Sequence, residues 1–392
     1  MTSSLVGSEM CIRDRYNVTK SDIKAPMFSI KLHRHLNMPF RIKGDLMKKI
    51  IITCLSIICI AIIIIIYQVR KPKNQLNLII WSSYMPQSLL DDYEKKTGTH
   101  VNMTTFSSPD EMIAKVRAVS PGTYDLVVGP GNDVEILKKV GLLDKLDKNE
   151  IPNSKNYAKD WLGFPYDKNN DYSLPYLGSY LALAYNQKKV SPISNYSDLL
   201  KSKFKNSAVV VSDARAVIDS SLINSGLDVN QLNTKNLETA THFLTALRPN
   251  IKALDSDSPH TLLANGEASV GLIYNAEITM AKSTNKNIVG VYPNSGIDLQ
   301  VDNFMKFKNA KGGKNVEKFI NYVENAKVFS SVVKEYPYLN PNEAAWSYLP
   351  KTWKTDPMRN LTSQQLKKAQ MPLDIGIKTR VLDKMWNNFV NQ

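Results

Sequence analysis

The five residues Asp167–Asp171, DKNND, put oxygen-bearing side chains at alternate positions, as a calcium-binding EF-hand loop does at its start. Such a loop next needs a glycine for its sharp turn and a bidentate glutamate at its twelfth position. Tyr172 and Gly178 stand there instead, so calcium is not expected. The run AKGGKN (310–315) lacks the spacing of a phosphate-binding loop and follows no clear buried strand, so it reads as a surface turn. His100, His242 and His260 are scattered, with no paired-histidine zinc motif and no serine nucleophile elbow to accompany them. The cysteines are Cys11, Cys54 and Cys59, which leaves residues 74–392 without a thiol nucleophile, a disulfide or a cysteine metal site. No nucleophile–base pair or metal set can be assembled, so no catalytic residue, cofactor or metal is expected. One spacing remains. If IDLQVDN (297–303) is a strand, its period of two puts Asp298, Gln300 and Asp302 on one face; if it is a loop, Asp298 caps it.

The formal charge of the 392 residues is +14, which would suit nucleic acid if the basic residues were clustered. Residues 1–46 carry eight Lys/Arg against four Asp/Glu, and residues 47–73 carry five Lys/Arg and no acid. Only +5 is left for residues 74–392, with no basic block, so nucleic acid is not an expected partner. Hydrophobic content of 43% and charged content of 22% suit a chain that mostly folds.

From Ile50 to Tyr67 the chain is nearly all apolar. That run exceeds the roughly 7–15 residues of a signal-peptide core and approaches the ~20 of a spanning helix. No small-x-small cleavage site follows it, and neither Cys54 nor Cys59 is preceded by the small residues of a lipoprotein site. Residues 47–69 are therefore expected to be an uncleaved signal anchor, with a cleaved signal peptide as the alternative. The 50–67 helix would then tether the protein to the cytoplasmic membrane. Residues 1–46 have no periodicity that would bury a face, and their opening is similar to a translated sequencing adapter. They are expected to be a non-native or disordered leader before a start at Met47.

After a linker at 70–75, elements that can position a site begin. LNLIIW (76–81), HVNMTTF (100–106) and YDLVVG (124–129) read as strands. Between and after them, amphipathic helices start near Pro86, Pro109 and Asn132. A second such run follows SLPYLGSYLALAYN: strand SAVVVSD, helices AVIDSSLINSG and NLETATHFLTAL, and strand ASVGLIYN. Strand–helix alternation implies parallel sheets flanked by helices, and the length suits two lobes. The expected fold is α/β and two-lobed, each lobe a mostly parallel sheet, joined by hinge strands near 178–184 and 297–303. Lobe 1 would comprise 76–180 with 301–340, and lobe 2 would comprise 181–300 with 341–392. Ligand belongs at strand C-termini facing the gap.

The ordered set LIIWSSYMPQSLLDDYEKKTG, YDLVVG, YDKNNDYSLPYLGS, SDARAVI, DSDSPHTLLANGEASVGLIYN, VDNF and YLNPNEAA resembles the bacterial periplasmic spermidine/putrescine-binding proteins. The likeness covers roughly residues 76–390. It implies a two-lobed periplasmic-binding-protein fold of type II and a polyamine held between aromatic rings and carboxylates, delivered to the permease subunits of an ABC importer. Aromatic faces attract alkylammonium groups by about 0.5–2 kcal/mol each, and a buried ammonium needs a paired, hydrogen-bonded acid.

By this resemblance Trp81 and Tyr84 form an aromatic wall, with Ser82 and Ser83 between them. Tyr274 stands where the family often has tryptophan, Tyr338 matches a tyrosine, and Asp213 and Asp302 match two carboxylates. Four positions depart from the pattern. Ser83 and Ala216 stand where acids can occur, and Asn132 and Gln300 where rings occur. Asp298 is a candidate to supply a lost carboxylate. Two matched acids suit a diamine such as putrescine better than a longer polyamine. The protein is expected to be monomeric and periplasmic, with another small amine or a less charged solute, or a membrane-anchored sensor role, as alternatives.

Overall fold

The ten strands among the described residues divide into two five-stranded sheets of one topology. The structure is a computed structural model that describes residues 51–60 and 74–391. In the first sheet the order is β2 (Thr99–Phe106), β1 (Asn74–Trp81), β3 (Leu126–Pro130), β10 (Gln300–Lys306) and β4 (Ser173–Ser179). In the second it is β7 (Ile251–Leu254), β6 (Ala208–Val210), β8 (Val270–Tyr274), β5 (Leu181–Asn186) and β9 (Ile288–Val291). Helices flank both sheets, which is the expected two-lobed α/β fold.

The strands are less uniformly parallel than expected. In each sheet the first three pair in parallel, and the last two join antiparallel. The reason is the chain's route. β4 runs through Tyr180 straight into β5, and β10 returns to the first sheet after β9. Each lobe thus receives one strand, β10 or β5, from a segment arriving from the other lobe, and that strand runs against its neighbours. β1 also starts at Asn74, two residues before its apolar run, because Asn74 and Gln75 pair with Thr99 and His100.

The crossing at Tyr180 is held closely. Asn275, fully buried, accepts from Tyr180 N (3.2 Å) and donates to Met358 O (2.8 Å). Gly178, one turn of the pleat earlier, faces the Trp161 ring so closely that an added Cβ would sit 2.5 Å from it. Any side chain there would force the hinge strand off its packing.

The cores follow the sheets. Leu78, Ile80, Val128 and Phe304 join Phe319 and Phe329 in the first, where Ala345 and Leu349 also pack. Leu183, Val210 and Leu272 join Val217 and Leu244 in the second, with Leu382 and Phe389 from the C-terminal helix. The DKNND run is a scaffold: Asp167 accepts from the backbone N–H groups of Asp171, Tyr172 and Ser173 at 2.8–3.1 Å, fixing the turn into β4. Among the described residues, no group of three or more potential metal ligands comes together.

Residues 51–60, described on their own, are helical with exposed side chains, including Cys54 and Cys59. The leader 1–46 and the rest of the expected 47–69 anchor lie outside the described residues. Among those described, no helix is long and apolar enough to cross a membrane.

Candidate functional site

The candidate residues gather at the C-terminal ends of β1, β3, β6 and β8, around the start of β10. They fall into two groups, one on each lobe. On the first lobe, Trp81 ends β1 and the chain turns sharply through Ser82 and Ser83. Ser82 N donates to Phe106 O at 2.9 Å, and Ser83 adopts the left-handed conformation (φ 52°). That costly backbone for a serine folds Tyr84 back over the sheet, where Tyr176 donates to its carbonyl at 2.8 Å. Ser82 and Ser83 themselves are exposed.

The turn brings both rings onto one carboxylate. Trp81 Nε1 donates to Asp302 Oδ1 at 3.0 Å and Tyr84 donates to Oδ2 at 2.6 Å. Tyr338 stacks edge-on against Tyr84 with ring centroids 5.0 Å apart. Burial pushes the Asp302 carboxyl up to about 6, although the two donors pull it the other way. Burial and the Asp302 charge raise the Tyr84 hydroxyl well above its ordinary value, so it stays a donor.

On the second lobe, Asp213 caps the helix Ala214–Asn224, its Oδ1 accepting from Ala216 N at 3.0 Å. Its Oδ2 accepts from the Tyr274 hydroxyl at 2.8 Å, and Gln300 Oε1 lies 3.3 Å from the same hydroxyl. Gln300 Nε2 donates to Asp298 Oδ2 at 3.2 Å. This contact is the one-face arrangement that period two predicts, although β10 proper starts only at Gln300. Asp298 precedes it in an isolated parallel bridge with Gln370 and is fully buried. Burial, and then the charge of Asp219, raise the Asp298 carboxyl well above the usual range.

Asn132 sits half-buried on the first turn of the helix Gly131–Lys139, at the end of β3, where Pro130 lies opposite Asp302. It is near the first group without a hydrogen bond to it. Two surface concavities of about 630 and 690 Å³ lie elsewhere and include none of these residues.

Three residues escaped the sequence reading. Asn275, beside Tyr274, ties the hinge. Asp219 accepts from Arg215 at 2.7 Å behind Asp213. Glu277, on the first turn after Tyr274, is held by His260 at 2.6 Å, and its charge, after burial, does most to raise the Tyr338 hydroxyl. The apolar run AVIDSSLI around Asp219, with Arg215 four residues before it, was the one signal that could have pointed to it.

Chemically, the site offers two carboxylates, each gripped by a neutral phenol, with aromatic faces between them. Each carboxylate has lone pairs beyond those its ring donors use, so an ammonium group can bond to it while the rings keep their hydrogen bonds. Against known proteins, residues 88–360 match the model of the bacterial extracellular solute-binding protein family. The chain is 31% identical over 316 residues to the spermidine/putrescine-binding periplasmic protein of Escherichia coli K12, covering 80% of this chain and 91% of that one. It is 32% identical over 307 residues to spermidine/putrescine-binding periplasmic protein 1 of Haemophilus influenzae (78% and 85% covered). Among solved structures, the spermidine/putrescine transporter substrate-binding protein of Streptococcus pneumoniae superposes with a TM-score of 0.73 at 25% identity, covering 81% of this chain and 99% of that one.

Proposed function

This chain belongs to the bacterial extracellular solute-binding proteins, a binding and not an enzymatic family, and from that premise we propose that it captures a diamine between its lobes for an ABC importer. The observation that carries this is the pairing of Asp302 with Tyr84 and Trp81 on one lobe and of Asp213 with Tyr274 on the other. Two ammonium groups would take these two acids, and the methylene spacer would lie against Trp81, Tyr84, Tyr274 and Tyr338. Contacts to both lobes favour the closed form, which the permease subunits would recognise. Ser82, Ser83, Asn132, Gln300 and Asp298 would line the rim and floor.

The diamine preference follows from acid count. Ser83 and Ala216 bring no charge where the family can have acids, so a third ammonium would lack a dedicated partner. The same shortage favours, as a second reading, a monoamine or a less charged solute. The relatives place the work in the periplasm, and we assign the 50–67 run as a tether to the outer face of the cytoplasmic membrane, with the binding unit monomeric. Recovery of the protein from washed membranes, and its loss when that run is deleted, would test the tether.

A thermal-shift panel on the full chain tests the ligand class. Putrescine, spermidine, agmatine, monoamines and amino acids would each be added at saturating concentration. A ligand at ~100 times its dissociation constant adds about 2.7 kcal/mol of stability. The largest shift is expected with a diamine. No shift with any polyamine would sink the assignment and leave the fold untouched.

A further inference from the structure

Behind Asp213 lie two acids: Asp219, which ligand capture as described does not use, and Asp298, which it sets at the floor of the site. Asp219, on the helix Ala214–Asn224, and Asp298, just before β10, are both fully buried. Each has one oxygen engaged: Asp219 Oδ2 by Arg215 Nε at 2.7 Å, Asp298 Oδ2 by Gln300 Nε2 at 3.2 Å. Each has its other oxygen, Oδ1, buried with no hydrogen-bond partner. A buried carboxylate oxygen left without a donor is costly, and two such charges in low dielectric also repel each other.

Arg215 cannot balance both. Its remaining hydrogen bonds go to neutral acceptors, Val229 O (3.2 Å), Asn230 Oδ1 (3.0 Å) and Leu373 O (3.5 Å). The other titratable groups around the pair are Asp213 on the same helix, Asp228 in the turn after it, Tyr196 from the segment Tyr196–Leu200, and Tyr274 at the end of β8. Those neighbours are acids or phenols, and none supplies a second positive charge. One proton on one carboxyl removes the repulsion. Burial raises both carboxyls; the charge of Asp219 adds to this at Asp298, and the charges of Asp213 and Asp228 add to it at Asp219 against the pull of Arg215.

The pair is wired to the cleft. Asp298 bonds to Gln300, whose Oε1 lies 3.3 Å from the Tyr274 hydroxyl, which donates to Asp213. We propose that Asp219 and Asp298 hold one proton between them and release it to solvent when a cationic group docks at Asp213. This rests on the cation-binding reading of the site. The arriving positive charge takes over the balancing task, so the pair can carry both negative charges; the proton goes to buffer and no other bond changes. Capture of a cation would therefore be coupled to proton release, and affinity would rise with pH.

The test is calorimetric titration of the full chain with putrescine at pH 7.5 in phosphate and in Tris, whose ionisation heats differ. At that pH Asp302 is already ionised and both amines of the ligand are protonated, so neither contributes. The heat should differ between buffers by the equivalent of about one proton per ligand in the wild type, and by close to none in Asp219→Asn. Equal heats in the wild type overturn the proposal. A ligand-free measurement keeps it decidable if no amine binds, an outcome that would itself strike the functional reading alone. Groups raised above their unfolded values stabilise at low pH and lose that contribution as pH rises through the folded value. The melting temperature of the wild type should thus fall more steeply between pH 5 and 8 than that of Asp219→Asn or Asp298→Asn. Identical slopes would contradict a shared proton.

Discussion

Each lobe holds one acid at the candidate site, with different materials. On the first lobe Asp302 is gripped by two neutral ring donors, Trp81 and Tyr84, and surrounded by aromatic faces. On the second, Asp213 leans on a helix N-terminus and on Tyr274, with Arg215 and two buried acids behind it. The first acid is starved of positive charge, and its pKa rises to about 6. The second already has the partial positive charge of its helix terminus to lean on. The first-lobe acid therefore stands to gain more from an arriving ammonium than the second.

Removing the charges should expose this asymmetry most strongly. Asp302→Asn is expected to weaken diamine binding at least about 100-fold, the usual cost of truncating one partner of a buried charge pair. Asp213→Asn should cost roughly tenfold, because the helix terminus already dilutes that charge. It keeps an oxygen for the cap, whereas Asp213→Ala should also lose about 1 kcal/mol of stability. Calorimetry with putrescine and a urea melt separate the two effects. Equal losses from both asparagine variants would erase the asymmetry.

Acidity offers a subtler contrast. Because the Asp302 carboxyl titrates near 6 in the folded protein, above its ordinary range, protonation there competes with the ligand. Affinity should fall by up to about tenfold per pH unit below 6. The same raised value means that the free protein loses stability as pH rises through 6, and that a bound cation restores it. A binding curve from pH 5 to 7, repeated on Asp302→Asn, should be less steep in the variant, which keeps only the pH dependence of the Asp219–Asp298 pair.

The smallest effects belong to the phenols. Tyr84→Phe strips Asp302 of its shortest bond and should weaken binding about three- to tenfold, the net value of one ordinary hydrogen bond, since Trp81 still donates to it. Tyr274→Phe should cost less, since Asp213 keeps the Ala216 N–H. The reverse order would show that the second lobe is the more dependent on its ring.

Spacing alone made one set legible, Asp298, Gln300 and Asp302 alternating along an extended run, whereas Trp81, Tyr84 and Asp213 were named through the family resemblance. The mixed sheets were not legible, because the direction of β4, β5 and β10 depends on where the chain crosses between lobes. Asp219 was hidden for a similar reason. Six residues past its cap it looks like a solvated helix position, and only the packing of that helix against the sheet buries it. Glu277 is brought beside Tyr338 from the opposite lobe, a proximity that no local pattern encodes.

The central claim, a dication bridging the two acids, is tested most directly by a crystal structure of the protein grown with putrescine. The account predicts one ammonium hydrogen-bonded to Asp302, the other to Asp213, with the methylenes against Tyr84 and Tyr338. A diamine bound with neither ammonium on these carboxylates, or held outside the space between the lobes, would contradict it.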